Sequence, residues 1–429
     1  MAERQRVCVV GLDGVPIGLL ERLADAGVMP NIAARIAAGH LRPMRASLPE
    51  ISAVSWTSFM TGVQPGEHGI FGFTDVNPGT YQLEFPNFSQ VEAPTLWDRL
   101  GKRGLHSVVL NQPATYPART IPGVLVSGFV AVDLSRSVKP LKWLGTLRRQ
   151  DYRIDIDTGR ARSDHDWLFQ DLHYTLESRG AALGRLWDEE DWDFMQVVVT
   201  GTDRLYHYLW DAVENPDHPR HAQALDYHRA VDRFVGQIWD RFAADAAEPE
   251  KHFWMLSDHG FCAIKQEVQL NALLREQGYL GLEGGGTDLT AIDPSSRAFA
   301  LDPGRIQIHL RGRYARGAVA AAEVANLKVE LADAFRSLRY HGEPVIRDVH
   351  DAADLYHGQC AERGPDLVLL AHPGFDLKAS PTATEIFSRT DLVGMHTWDD
   401  AFLLAPYPIE DEQLWIGDIA GHLEREFEN

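Results

Sequence analysis

Short apolar runs rich in β-branched residues recur along this chain, and three of them end at or just before an aspartate. The runs cover 7–12, 107–110, 195–200, 253–257, 367–371 and 402–405. They suit strands and fall far short of the roughly 18–20 apolar residues of a membrane span. Helical patterns lie between them. In 225–244, Leu225, Val231, Phe234, Val235, Ile238 and Phe242 recur on one face at a 3.6-residue spacing. Such alternation predicts a parallel βαβ construction. A length of 429 residues accommodates one large α/β domain with an insertion. The stretch 263–350 has its own predicted strand (305–310) and helix (320–338) and reads as an inserted cap. That leaves 1–262 and 351–429 as the catalytic domain. Within 281–290, Gly284, Gly285 and Gly286 predict a flexible loop.

A net charge of −20 argues against a binder of nucleic-acid polymers, whose affinity comes from a basic surface. Cys8, Cys262 and Cys360 are odd in number and widely spaced, which argues against a disulfide framework. The run 7–12 is too short for a signal-peptide core and no small-residue cleavage site follows it. The expectation is a cytoplasmic protein that neither spans nor binds a membrane.

The chemistry is carried by aspartate and histidine at the strand ends. Asp13 follows the first run, Asp203 follows the third with His207 four positions on, and Asp258 and His259 follow the fourth. In open α/β sheets ligands bind beyond the carboxyl ends of the strands, so these residues are expected to converge on one edge. Carboxylate oxygen and imidazole nitrogen are the usual ligands of zinc and related divalent ions. Asp203 and His207 share a face if their segment is helical. Ser52 stands just before a predicted helix over about 54–61, where free N–H groups and positive potential suit a phosphate. A metal ion there would activate the hydroxyl as a nucleophile without a histidine base.

Several motifs together resemble the alkaline phosphatase superfamily, and within it the type I phosphodiesterase/nucleotide pyrophosphatase branch. They are Gly11-Leu-Asp-Gly14, Met29-Pro-Asn-Ile32, Ser52 with Ser55-Trp-Thr-Ser-Phe-Met-Thr-Gly62, and Pro65-Gly-Glu-His-Gly-Ile-Phe71. Thr202-Asp-Arg-Leu-Tyr-His207, Ser257-Asp-His-Gly-Phe261, Gly364-Pro-Asp-Leu367 and Gly394-Met-His396 continue the series. The similarity is to the prokaryotic group of predicted phosphohydrolases and phosphomutases. It implies a three-layer α/β/α core with a mostly parallel sheet. It also implies two metal sites, Asp203 with His207 and His396, and Asp13 with Asp258, His259 and the Ser52 oxygen. His396 rests on the resemblance alone. The implied cofactors are two divalent ions, zinc with manganese as the alternative. The implied reaction is hydrolysis of a small phosphate ester through a phosphoseryl intermediate on Ser52. Phosphodiesterase or nucleotide pyrophosphatase activity is expected, with a phosphomonoesterase or phosphomutase as the alternatives.

Three positions depart from the branch. Phe73 stands where an asparagine contacts a phosphate oxygen, Ser52 replaces the usual threonine, and Asp400 replaces a frequent glycine. A basic island at 133–165 includes Arg148, Arg149 and Arg153, which are candidates for reading a second phosphate or carboxylate.

Overall fold

The computed structural model describes residues 5–389 and 391–428, which divide into two compact units. The first comprises Met1–Val63, Asn87–Cys262 and Asp391–Asn429. Its eight-stranded sheet runs in the order His40–Met44, Ala401–Ala405, Phe253–Leu256, Val7–Leu12, Phe194–Val199, Ser107–Gln112, Gly123–Ser127, Val138–Lys139. The five strands from Phe253–Leu256 to Gly123–Ser127 are parallel, and antiparallel strands flank them.

Val7–Leu12, Phe194–Val199 and Ser107–Gln112 are buried along their whole length, as strands covered on both faces must be. Alternation sorts their side chains. Cys8, Val10 and Leu12 join a core built with the helices Ile17–Asp25, His165–Glu189, Gly201–Glu214 and His221–Asp245. Gly11 faces the other way, where the Trp56 ring of the helix Ser52–Thr61 lies against it. The architecture is α/β with a large, mostly parallel central sheet. In His221–Asp245 the expected stripe is buried at Val231, Phe234, Val235, Ile238 and Phe242, with Leu225 partly covered.

The second unit comprises Gln64–Pro86 and Ala263–Thr390. Ala298–Leu301, Arg305–Ile308, Leu367–Ala371 and Ile346–Asp351 form an antiparallel sheet. The helix Val324–Ser337 contributes Leu327, Leu331 and Phe335 to its core. These boundaries differ from the sequence expectation. Residues 351–390 stay with this unit because Leu367–Ala371 pairs with Arg305–Ile308 and Ile346–Asp351, and 64–86 join it through Val76 and Tyr81 in its core. A buried antiparallel run and a buried parallel run look alike in sequence. The 281–290 stretch forms two short 3₁₀ turns, Glu283–Gly285 and Leu289–Ala291, with Leu289 buried. Among the described residues no helix is long and apolar enough to cross a membrane.

A Cβ at Gly11 would stand 2.5 Å from the Trp56 ring and 3.1 Å from Val198. Gly11→Ala is therefore expected to destabilise the chain by about 1–3 kcal/mol, the usual cost of overpacking a core. Urea unfolding of the variant beside the wild type measures it.

Candidate metal centre

Strand register fixes where the aspartates emerge. Leu12 pairs with Val199 and Gly11 with Leu256, so the three strands end level with one another. Asp13 follows at once, its N–H donating to the Val199 carbonyl at 3.0 Å. Gly14, at φ +72, then turns the chain so that its N–H reaches Asp258 Oδ1 at 3.1 Å. A side chain at Gly14 would press on Asp203 and Phe261.

Asp203 lies in the first turn of Gly201–Glu214, the end of a helix that favours a carboxylate. His207 sits one turn on, with Nε2 3.3 Å from Asp203 Oδ1. His396 comes from the short strand Gly394–Thr397, its Nε2 3.1 Å from the same oxygen. Asp258 and His259 follow Phe253–Leu256. His259 Nε2 lies 3.4 Å from Asp258 Oδ2, 3.6 Å from Asp13 Oδ1 and 4.0 Å from Asp203 Oδ1. Ser52 Oγ is 3.3 Å from Asp13 Oδ1 and 3.2 Å from His259 Nε2. Ser52 opens the helix Ser52–Thr61, and Ile51, one residue ahead of it, is the cap. The structure thus brings Asp203, His207 and His396 together as one group, and Asp13, Asp258 and His259 as another.

Every imidazole is oriented from behind. Nδ1 of His207 lies 3.0 Å from the Gly394 carbonyl, that of His259 2.9 Å from Gly260, and that of His396 2.9 Å from Glu50. A carbonyl can only accept, so each Nδ1 carries the proton and each Nε2 turns a lone pair inward. The carboxylates are treated alike. Trp56 Nε1 donates to Asp13 Oδ2 at 3.0 Å, Gly14 N–H to Asp258 Oδ1, and Arg204 Nη1 to Asp203 Oδ2 at 2.9 Å. One oxygen of each aspartate is left facing the centre.

The result is a surplus of acceptors. His207 Nε2 and His396 Nε2 face each other at 3.0 Å. A second proton on His396 does not resolve this, because burial and the His259 ring pull that imidazole down to about 3. Asp258 Oδ2 is buried without a hydrogen-bond partner among the described residues. Burial and the facing Asp203 push the Asp258 carboxyl up to about 7, and burial with Asp258 and Asp203 raises Asp13 well above the carboxylate range. Burial acts the same way on Asp203, but His207, His396 and Arg204 outweigh it and hold that group well below its usual value. Converging carboxylate oxygens and bare imidazole nitrogens fit a divalent cation of the zinc or manganese kind.

A protein-family model described as type I phosphodiesterase/nucleotide pyrophosphatase matches residues 7–399. The chain belongs to this family. Its members lie within the alkaline phosphatase superfamily and are phosphoryl hydrolases. Among solved structures, phosphonoacetate hydrolase from Sinorhizobium meliloti 1021 in complex with phosphonoformate is similar at 16% identity. The match covers 99% of this chain and 96% of that one, with a TM-score of 0.65. Murine ectonucleotide pyrophosphatase/phosphodiesterase 5 is similar at 14% identity, covering 98% and 95%, with a TM-score of 0.56. An inactive variant of it in complex with AMP matches equally well. At these identities the likeness is one of fold. No curated protein sequence matches the chain.

The arginines of the basic island make contacts of their own. Arg148 and Arg149 are exposed at the end of the helix Leu144–Arg149, and Arg149 bonds Thr146. Arg153 pairs with Asp171 and lies over the Tyr174 ring. Among the described residues none of the three bonds a member of the centre. The residue of this stretch that reaches it is Asp155, through Arg204.

Trp56, Arg204 and Phe261 also support the centre, although no spacing in the sequence marks them. The Phe261 ring packs against His207, His396 and His259 at centroid distances of 4.9, 5.4 and 6.2 Å. All three lie inside the quoted motifs, which was the available signal. Asp400 takes a hydrogen bond from Thr397 and lies against Gly260, whose carbonyl holds His259.

If both groups hold a cation, the chain is expected to take up about two divalent ions and Asp258→Asn to lose most of one. Elemental analysis of both purified proteins measures it, and full occupancy in the variant would remove Asp258 from the centre.

Proposed function

We propose that this family member is a two-metal phosphoric ester hydrolase, acting on phosphodiesters or nucleotide pyrophosphates with Ser52 as nucleophile. One observation carries the reading. Of the hydroxyls on the helix Ser52–Thr61, that of Ser52 faces Asp13 and His259, and the others are engaged elsewhere. Ser55 Oγ accepts the Ser47 N–H, Ser58 Oγ accepts the Ser47 hydroxyl, and Thr57 and Thr61 donate to backbone carbonyls. Ser52 Oγ therefore lies among the same lone pairs that a cation would take, and a cation there would favour its ionised form.

In this reading Asp203, His207 and His396 hold one ion, and Asp13, Asp258, His259 and Ser52 hold the other. When bound, the two ions supply positive charge that lowers the pKa of a ligating hydroxyl and offsets charge on a phosphoryl group. Ser52 Oγ attacks phosphorus, a serine–phosphorus ester bond forms, and the bond to the departing alkoxide breaks. Attack by water then releases phosphate product and restores the hydroxyl. The positive end of the Ser52 helix lies behind the attacked group and favours its oxygens. Three carboxylates and the serine oxygen balance two dications, so the centre accepts an anion although the chain carries −20 overall.

Ser52→Ala is expected to keep its fold and most of its metal while turnover of an aryl phosphodiester falls at least about a thousandfold. Ser55→Ala should remain active. Wild-type protein quenched during turnover should show added phosphoryl mass on the peptide containing Ser52. An active Ser52→Ala variant beside an inactive Ser55→Ala variant would move the nucleophile by one helical turn.

A further inference from the structure

Arg204 is buried within the first unit and meets the centre only through one of its aspartates. Its guanidinium is held in three ways. Nε and Nη2 both donate to Asp155 Oδ2, at 3.0 and 2.7 Å. Nη1 donates to Asp203 Oδ2 at 2.9 Å, and the plane lies over the Phe129 ring with Cζ 4.1 Å from its centroid. Asp155 is itself anchored, taking a weaker bond from Thr200 at 3.4 Å on its other oxygen. Thr200 is the cap of the helix that carries Asp203 and His207. Guanidinium, cap and aspartate therefore form a closed bracket around the first turn of that helix.

We propose that Arg204, clamped by Asp155, is a positioning residue that commits Asp203 Oδ2 and so presents Oδ1 alone to the site shared with His207 and His396. The inference rests on the two-metal reading. Trp56 and Gly14 play the equivalent part for Asp13 and Asp258, but each through a single neutral N–H. Arg204 also gives its aspartate one N–H, but a charged one in a plane that the two bonds to Asp155 hold, so it sets an angle as well as a distance. Its charge is matched by that of Asp155, so the pair adds little net field at the centre. Its influence on a bound cation is then one of geometry. Outer partners of this kind typically change metal affinity 10- to 100-fold.

Two variants separate geometry from charge. Arg204→Gln combined with Asp155→Asn removes the fork and leaves the net charge of the pair at zero. Arg204→Lys keeps the charge, but one ammonium cannot span both aspartates in the same plane. Zn²⁺ alone is titrated into metal-stripped protein against a chelating indicator, with circular dichroism to verify the fold. The wild type is expected to bind two ions. Both variants are expected to bind one at wild-type affinity and the second about 10- to 100-fold more weakly. A merely structural role would shift the melting temperature without separating the two affinities. Unchanged affinity for both ions in either folded variant would overturn the proposal. A wild type that binds fewer than two ions would instead overturn the reading beneath it.

Discussion

Three aspartates are buried where three neighbouring parallel strands end, and their mutual repulsion is the constraint around which the first unit is organised. Asp13 and Asp258 offer oxygens within 4.8 Å of each other and of His259 Nε2. At an effective dielectric near 20, two full charges at that separation repel by about 3.5 kcal/mol. Burial is the larger influence and drives each carboxyl toward its neutral form, with Asp258 and Asp203 adding to it at Asp13 and Asp203 adding to it at Asp258. The single N–H groups of Trp56 and Gly14 relieve part of the strain on each and leave the inward oxygens exposed to one another. A bound cation would relieve such a cluster.

The same constraint explains how the surrounding side chains are fixed. Carbonyls of Gly260, Glu50 and Gly394 each take an imidazole Nδ1 proton, so the histidines cannot resolve the repulsion by turning N–H groups inward. Phe261 packs on all three rings and limits their rotation. The outcome is a preorganised set of lone pairs, costly in an empty centre and favourable around dications. Ser52 completes it from the opposite face of the sheet, delivered by a helix whose Trp56 seats on Gly11 and bonds Asp13. The Ser52 helix and the Asp13 carboxylate are thereby coupled through one tryptophan.

How far the sequence anticipates this depends on how each residue is placed. Asp13, Asp203 and Asp258 are legible because a buried strand is a short apolar run and the next residue must leave the sheet. His207 is legible from helical spacing. His396 has no such signal, since Gly394–Thr397 pairs only with Gly260–Ala263, outside the main sheet. Asp155 is equally silent, an acidic residue inside a basic stretch that drew notice for its arginines. Those arginines illustrate the limit of composition. Arg153 satisfies Asp171, and the one arginine bonded to a member of the centre, Arg204, lies in the motif beside its aspartate. The boundary of the second unit is not legible in the sequence, since Leu367–Ala371 has the apolar pattern of a central strand while pairing antiparallel in another sheet.

Family membership establishes phosphoryl hydrolysis as the chemistry of this chain, and the geometry of the first unit supplies a physical reason for it. The convergent acceptors are proposed to form two cation sites. Anomalous diffraction from Zn²⁺-loaded crystals locates them. Two peaks are expected, each about 2.0–2.3 Å from its donors. One should lie among Asp203, His207 and His396, and the other among Asp13, Asp258, His259 and Ser52. Crystals that hold Zn²⁺ elsewhere on the chain, with neither group occupied, would contradict that proposal.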